Sequence, residues 1–246
     1  MPRRIQRTGA VALILIALSA ASGLQAQSRV IEQNWQFSPD PKAQFTAATV
    51  DRQAKWRPAR ASLSWNAQFD DLRDYAGVGW YRVTIALAAP QPSSRELIHF
   101  GAVDYFTEVW INGRHLGEHE GGYTPFTFDL TGKVHAGSNE ILIKVFDPPM
   151  PPPLAVQMPP NSAPKEVLRP PAVKNNAEPP LEKRFDYNEI PHGKQNWYVQ
   201  TSGLWQDVTL ETVPLRYVAW VHVTPHNSGD VTVEAKLEGR DRKSVV

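Results

Sequence analysis

Six residues of this 246-residue chain, His115 to Glu120, hold four side chains able to do chemistry: His115, Glu118, His119 and Glu120, with Gly121, Gly122 and Tyr123 following. Paired carboxylates can serve as a general acid/base and a nucleophile. Two histidines and a glutamate also contain the donors of a zinc site. His119, before Gly121-Gly122-Tyr123, is suited to hydrogen-bonding a ligand hydroxyl, or to bracing its own loop. The run is bounded by glycines and follows no helical pattern, so no metal is expected, and His115 has no functional case. Asp104 is expected to accept hydrogen bonds from nearby backbone N–H groups rather than to touch a ligand.

These residues must be held by strands. Thr107, Val109 and Ile111 alternate with Phe106, Glu108 and Trp110, the period of a strand, and Asn112-Gly113 supplies a hairpin turn with positive φ. Phe126, Phe128 and Leu130 resume the alternation, which predicts that the polar run between is a loop at the rim of a sheet. Tyr81, Val83, Ile85 and Leu87 mark an earlier strand, Glu96 to Phe100 another, and Ile141, Ile143 and Val145 a later one. Ser38-Pro39-Asp40-Pro41 reads as a turn cluster, and Trp56, Leu63 and Trp65 punctuate a loop-rich stretch. With turn signals recurring between short alternating runs and no long amphipathic helix, the fold class is all-β.

Arg3, Arg4 and Arg7 precede the apolar run Ala10 to Leu18, and small residues lead to Ala26, the pattern of a secretory signal peptide over 1–26. Its removal takes away three arginines and no acids, turning a formal net charge of +1 into −2. Nucleic acid is not an expected partner of such a chain, and no membrane association is expected after cleavage. The absence of cysteine excludes disulfides and thiolate chemistry. The expected destination is the periplasm or the exterior.

The stretch VDYFTEVWINGRHLGEHEGGYTPFTFDLT resembles the N-terminal sugar-binding domain of glycoside hydrolase family 2, the group of β-galactosidases, β-glucuronidases and β-mannosidases. Gly79-Trp80-Tyr81-Arg82, Gly137-Ser138-Asn139-Glu140 and Ser202-Gly203-Leu204-Trp205-Gln206 fit the same domain in the same order. The resemblance covers roughly Val30 to Val213. It implies a jelly-roll-like β-sandwich over 27–214, followed at 215–246 by the first strands of an immunoglobulin-like sandwich, cut short because a complete one needs about 100 residues. It also places the catalytic glutamates in a (β/α)₈ barrel of about 250 residues, for which this chain has no room. Glu118 and Glu120 are accordingly read as solvated carboxylates or partners of basic groups.

Within the sandwich, residues 148–191 hold 13 of the 22 prolines. They predict an extended insertion without a central strand, whose end, Phe185 to His192, packs back toward the substrate side. Six residues before Gly203 the family typically carries an acid reaching the sugar or an adjacent cation; Trp197 stands there, suited to stack on a sugar face or to fill the core. Trp197, His119 and Tyr123 are the candidate substrate-binding residues, with carbohydrate as ligand and no cofactor. The resemblance implies part of a glycosidase, inactive alone, that supports the missing catalytic barrel if one is encoded downstream. The alternatives are a stand-alone carbohydrate-binding module and a structural interaction domain.

Overall fold

The computed structural model describes residues 26–150, 181–185, 187–191 and 201–239. Fourteen strands appear among them: β1 (Gln27–Val30), β2 (Gln36–Asp40), β3 (Arg57–Pro58), β4 (Gly77–Leu87), β5 (Ser94–Phe100), β6 (Val103–Asp104), β7 (Phe106–Ile111), β8 (Arg114–Glu120), β9 (Phe126–Asp129), β10 (Gly137–Asp147), β11 (Gly203–Leu204), β12 (Val208–Pro214), β13 (Tyr217–Pro225) and β14 (Val231–Glu238). The helices are single turns, α1 (Val50–Gln53), α2 (Trp65–Gln68) and α3 (Leu181–Arg184). The chain is all-β, and its described residues divide into two compact units, one within 28–90 and 96–211, the other made of 91–95, 212–239 and the first two described residues, 26–27.

In the larger unit a six-stranded sheet runs β3-β2-β4-β10-β7-β8, beside a four-stranded sheet β1-β12-β5-β9. The long strands β4 and β10 pair antiparallel with Ile143 opposite Tyr81, and β10 pairs β7 with Ile143 opposite Val109. One face of the larger sheet gives Tyr81, Val83, Val109, Ile111, Ile141 and Ile143 to a core shared with Ile98, Phe100, Val208 and Leu210 of the smaller sheet. This is the sandwich that the period-2 pattern requires: each strand sends alternate side chains inward, and burial of that apolar face drives the two sheets together.

The opposite face of the six-stranded sheet is covered as well. Val78, Trp80, Phe106, Leu142 and Phe146 pack with Val50 of α1 and with Phe185 and Ile190. The end of the proline-rich segment thus returns to the sheet, and Phe185 contacts Tyr105, Phe106 and Phe146 at ring separations of 5.6, 4.9 and 6.2 Å. The expected substrate-side position of Phe185–His192 is in part outside the described residues, as His192 is, and so is most of the proline-rich window.

Two local expectations are corrected. The polar run Arg114–Glu120 is a strand, paired to β7 with Thr107 opposite His119 and Glu108 opposite Glu118. It is the outermost strand of its sheet, where charged side chains remain hydrated and discourage further pairing. Ser38, Pro39 and Asp40 belong to β2, not to a turn: Pro39 lies opposite Gly79 of β4, beyond the two residues where β3 pairs, so no β3 partner requires its missing N–H. Trp65 opens α2, which Ser64 caps by accepting from the Ala67 N–H at 3.3 Å. The Asn112-Gly113 turn is as expected, with φ of 49° and 76°.

In the smaller unit, β13 and β14 form an antiparallel hairpin with Val223 opposite Val233 and Val221 opposite Ala235. Leu215 N–H donates to the Ser93 carbonyl at 3.1 Å, and the Arg95 guanidinium lies 5.7 Å from the Tyr217 ring centre.

Candidate functional site

Four segments meet at one end of the larger unit: the β6–β7 junction, the turn after β8, the end of β10, and β11. Asp104 ends β6 and lies opposite Gly203 of β11. The next residue, Tyr105, donates its hydroxyl to Glu120 Oε1 at 2.8 Å, and its carbonyl accepts from Gly121 N–H at 3.3 Å. The last residue of β8 and the first of the turn are therefore tied to the β6–β7 junction. Trp205, two residues beyond Gly203, donates its indole N–H to the Gly122 carbonyl at 2.8 Å, and its ring meets that of Tyr123 edge-on at 5.5 Å. Gly122 is required by space: a β-carbon there would overlap Asp104 Oδ1.

Beneath this turn lie two carboxyl groups. Asp104 is 3% exposed and Asp147, at the end of β10, is 1% exposed. Burial pushes Asp104 up to about 7. Asp147 is raised well above the usual carboxylate range by burial and then by the charge of Asp104, against the opposing effect of Ser202, whose hydroxyl donates to Asp147 Oδ2. The expected backbone hydrogen bonds to Asp104 are not found: among the described residues no backbone N–H donates to its carboxyl, which leaves desolvation as the cause of its shift. Two like charges cannot be buried side by side without cost, so the pair retains protons that exposed carboxyls release.

Of the predicted binding residues, Tyr123 is 44% exposed at the rim beside Trp205. Burial, then the charges of Asp104 and Asp147, raise its hydroxyl above the usual tyrosine value, so it remains a donor at neutral pH. His119 faces its own turn. Its Nε2 is 3.2 Å from Thr124 Oγ1 and its ring stacks on Phe126 at 4.0 Å and 16°. Burial lowers its pKa, which leaves the imidazole neutral near pH 7. Trp197 lies outside the described residues. Glu118 pairs with Arg184 of α3 at 2.9 Å, and Glu120 holds Tyr105, so these two acids are committed to neighbours. His115 packs beside Trp110 at 5.1 Å.

Sequence reasoning passed over Asp147 and Ser202, which are 55 positions apart and share a hydrogen bond. Only the placement of Asp147 before Pro148 marked the end of its strand. The arrangement offers a polar and aromatic wall, Tyr123 and Trp205, over a buried acid pair that is too enclosed to attack a sugar carbon. Among the described residues no three His, Cys, Asp or Glu side chains form a group able to hold a metal, and no helix is long and apolar enough to cross a membrane.

The family model described as "Glycosyl hydrolases family 2, sugar binding domain" matches residues 22–151, more than half of the chain. A β-galactosidase of Thermoanaerobacter pseudethanolicus is 42% identical over 72 residues, 29% of this chain and 10% of that protein. A β-glucuronidase of Chlorocebus aethiops is 26% identical over 222 residues, 86% of this chain and 30% of that protein. The solved β-glucuronidase of Ruminococcus gnavus superposes with a TM-score of 0.62 at 20% identity, covering 89% of this chain and 34% of its own, a likeness of fold. The chain thus spans between a tenth and about a third of the length of these relatives. Since the matched region runs from the first strands through the Gly121–Tyr123 rim to the end of β10, this chain belongs to the sugar-binding domain family of the family 2 glycosyl hydrolases.

Proposed function

We propose that this chain is the N-terminal, non-catalytic part of an exported glycoside hydrolase that cleaves O-glycosidic bonds. In this reading its β-sandwich buttresses a catalytic barrel and lends the Tyr123–Trp205 rim as one wall of the sugar pocket. The observation that carries it is the family match over residues 22–151, which takes in Tyr123 and the strands on either side of its turn. The similar proteins, named as a β-galactosidase and a β-glucuronidase, support the substrate class of β-linked glycosides. The basic residues and apolar run at the N-terminus support export to the periplasm or exterior.

The acids of the described residues do not make a retaining pair: Glu118 and Glu120 hold Arg184 and Tyr105, and Asp104 and Asp147 are buried. The test is turnover of chromogenic β-galactoside, β-glucuronide and β-mannoside by the 246-residue chain and by the product of any longer reading frame. The short chain is expected to be inactive and the longer product active on at least one substrate, with Tyr123→Ala raising its KM. Turnover by the short chain that is abolished in Glu118→Gln or Glu120→Gln would overturn the reading.

A further inference from the structure

Beside Trp205, and lined by neither Asp104 nor Asp147, lies a cleft of about 450 Å³, within the ~300–1,000 Å³ range of small-molecule sites. Its floor is Phe100 and Gly101, and its walls include Trp205, Pro125 and the run Gln206-Asp207. The floor is rigid. Gly101 N–H donates to the Asp207 carbonyl at 2.9 Å, and a β-carbon on Gly101 would come within 2.9 Å of the Gln206 side chain. His99 at the edge is held through both ring nitrogens, Nδ1 to Thr127 at 2.6 Å and Nε2 to Glu211 at 2.7 Å.

The polar groups of this cleft are only partly used. Asp207 accepts from Ser62 at 2.5 Å through Oδ1, and among the described residues its Oδ2 has no partner. The Gln206 amide and the Thr209 hydroxyl, both at the cleft, likewise make no side-chain hydrogen bond among the described residues. The Trp205 ring beside them is already fixed by its bond to Gly122, so ordering it costs a ligand nothing. An aromatic face next to a free carboxylate oxygen, an amide and a hydroxyl matches a pyranose, which presents an apolar C–H face and a fringe of hydroxyl donors. The charge selects further: among the described residues no lysine or arginine lines the cleft, the Asp207 carboxylate lies at it, and the His99 ring is paired with Glu211. An anionic ligand would be repelled.

We propose that this cleft is a second saccharide site, sharing only Trp205 with the candidate pocket wall, that binds a neutral pyranoside and discriminates against uronates. Asp207 and Gln206 hydrogen-bond the hydroxyls, and the sugar's C–H face lies on Trp205. The site is open to one side, so affinity is expected in the millimolar range. It goes beyond the proposed hydrolase role and does not depend on it: failure here leaves the turnover test unaffected, and an inactive longer product leaves this site standing.

The test is a ligand-observed NMR titration of the 246-residue chain with methyl β-galactopyranoside, methyl β-glucopyranoside and methyl β-glucuronide. The neutral glycosides should bind at least about tenfold more tightly than the glucuronide. Asp207→Ala and Gln206→Ala should each weaken neutral binding by about fivefold or more while leaving the melting temperature within a degree or two. Asp104→Asn, under the neighbouring turn, should leave it unchanged. Absence of neutral-sugar binding at tens of millimolar, equal binding of the glucuronide, or affinity indifferent to both cleft variants would each overturn the proposal.

Discussion

The indole nitrogen of Trp205 donates to the carbonyl of Gly122 at 2.8 Å, joining the segment after β11 to the turn after β8 across 83 residues of sequence. Substituting Trp205→Phe keeps an aromatic ring and removes the donor. The Gly122 carbonyl, buried under the ring, then lacks its partner, at a cost of about 1–3 kcal/mol. Thermal unfolding should report the loss, and hydrogen exchange should show faster opening of Gly121–Tyr123. An unchanged exchange rate there would mean that the bond does not hold the turn.

Gly122→Ala should destabilise by about 1–3 kcal/mol, since the new methyl group overlaps the Asp104 carboxyl and forces a backbone shift. The double variant with Asp104→Ala should recover most of that loss, because the obstructing atoms are gone. Additive effects in the double-mutant cycle would show that the contact is not the cause.

The pH dependence of stability has a sign set by Asp104. Its folded-state pKa is raised from 3.8 to about 7 by burial, so between these values the unfolded chain releases a proton that the folded chain keeps. Stability falls as pH rises through that window, by an amount of order a few kcal/mol. Asp147, the nearest acid, acts in the same direction, while Tyr123 and Tyr187, which feel both carboxyls, stay neutral there. Asp104→Asn should raise the melting temperature at pH 8 far more than at pH 4. Equal gains at both would place the titration elsewhere.

Val109 and Ile143 lie opposite each other on β7 and β10, both fully buried. Either one changed to Asp puts an unpaired charge between the sheets at a cost of several kcal/mol. Both variants should be unfolded by circular dichroism at 25 °C; a native-like melt in either would show that the site reaches water.

The hairpin β13–β14 exposes Val221, Val223, Val231, Val233 and Leu237 at 54 to 76%. Exposed apolar strands promote self-association, so Val223→Lys with Val233→Glu should lower concentration-dependent scattering of the chain. Scattering that is independent of these residues would locate association on another surface.

Local periodicity determined much of this protein. The alternations around Val109, Tyr81 and Ile143 fixed three strands and their inward faces, because a strand can bury only every second side chain. Asn112-Gly113 fixed its turn because few other residue pairs take positive φ twice. The ordered glycine and tryptophan motifs were enough to point to the family. Tertiary structure alone decided which residues of the candidate site meet. The polar run Arg114–Glu120 looked like a loop because nothing in it alternates by hydrophobicity, yet β7 offers a row of backbone partners and the sheet edge keeps its charges hydrated. Asp104 and Asp147 are unremarkable singly, 43 positions apart in sequence. Their shifted acidity arises only when β6 and the end of β10 bury them together under Gly122, since desolvation and like-charge repulsion act through space rather than along the chain.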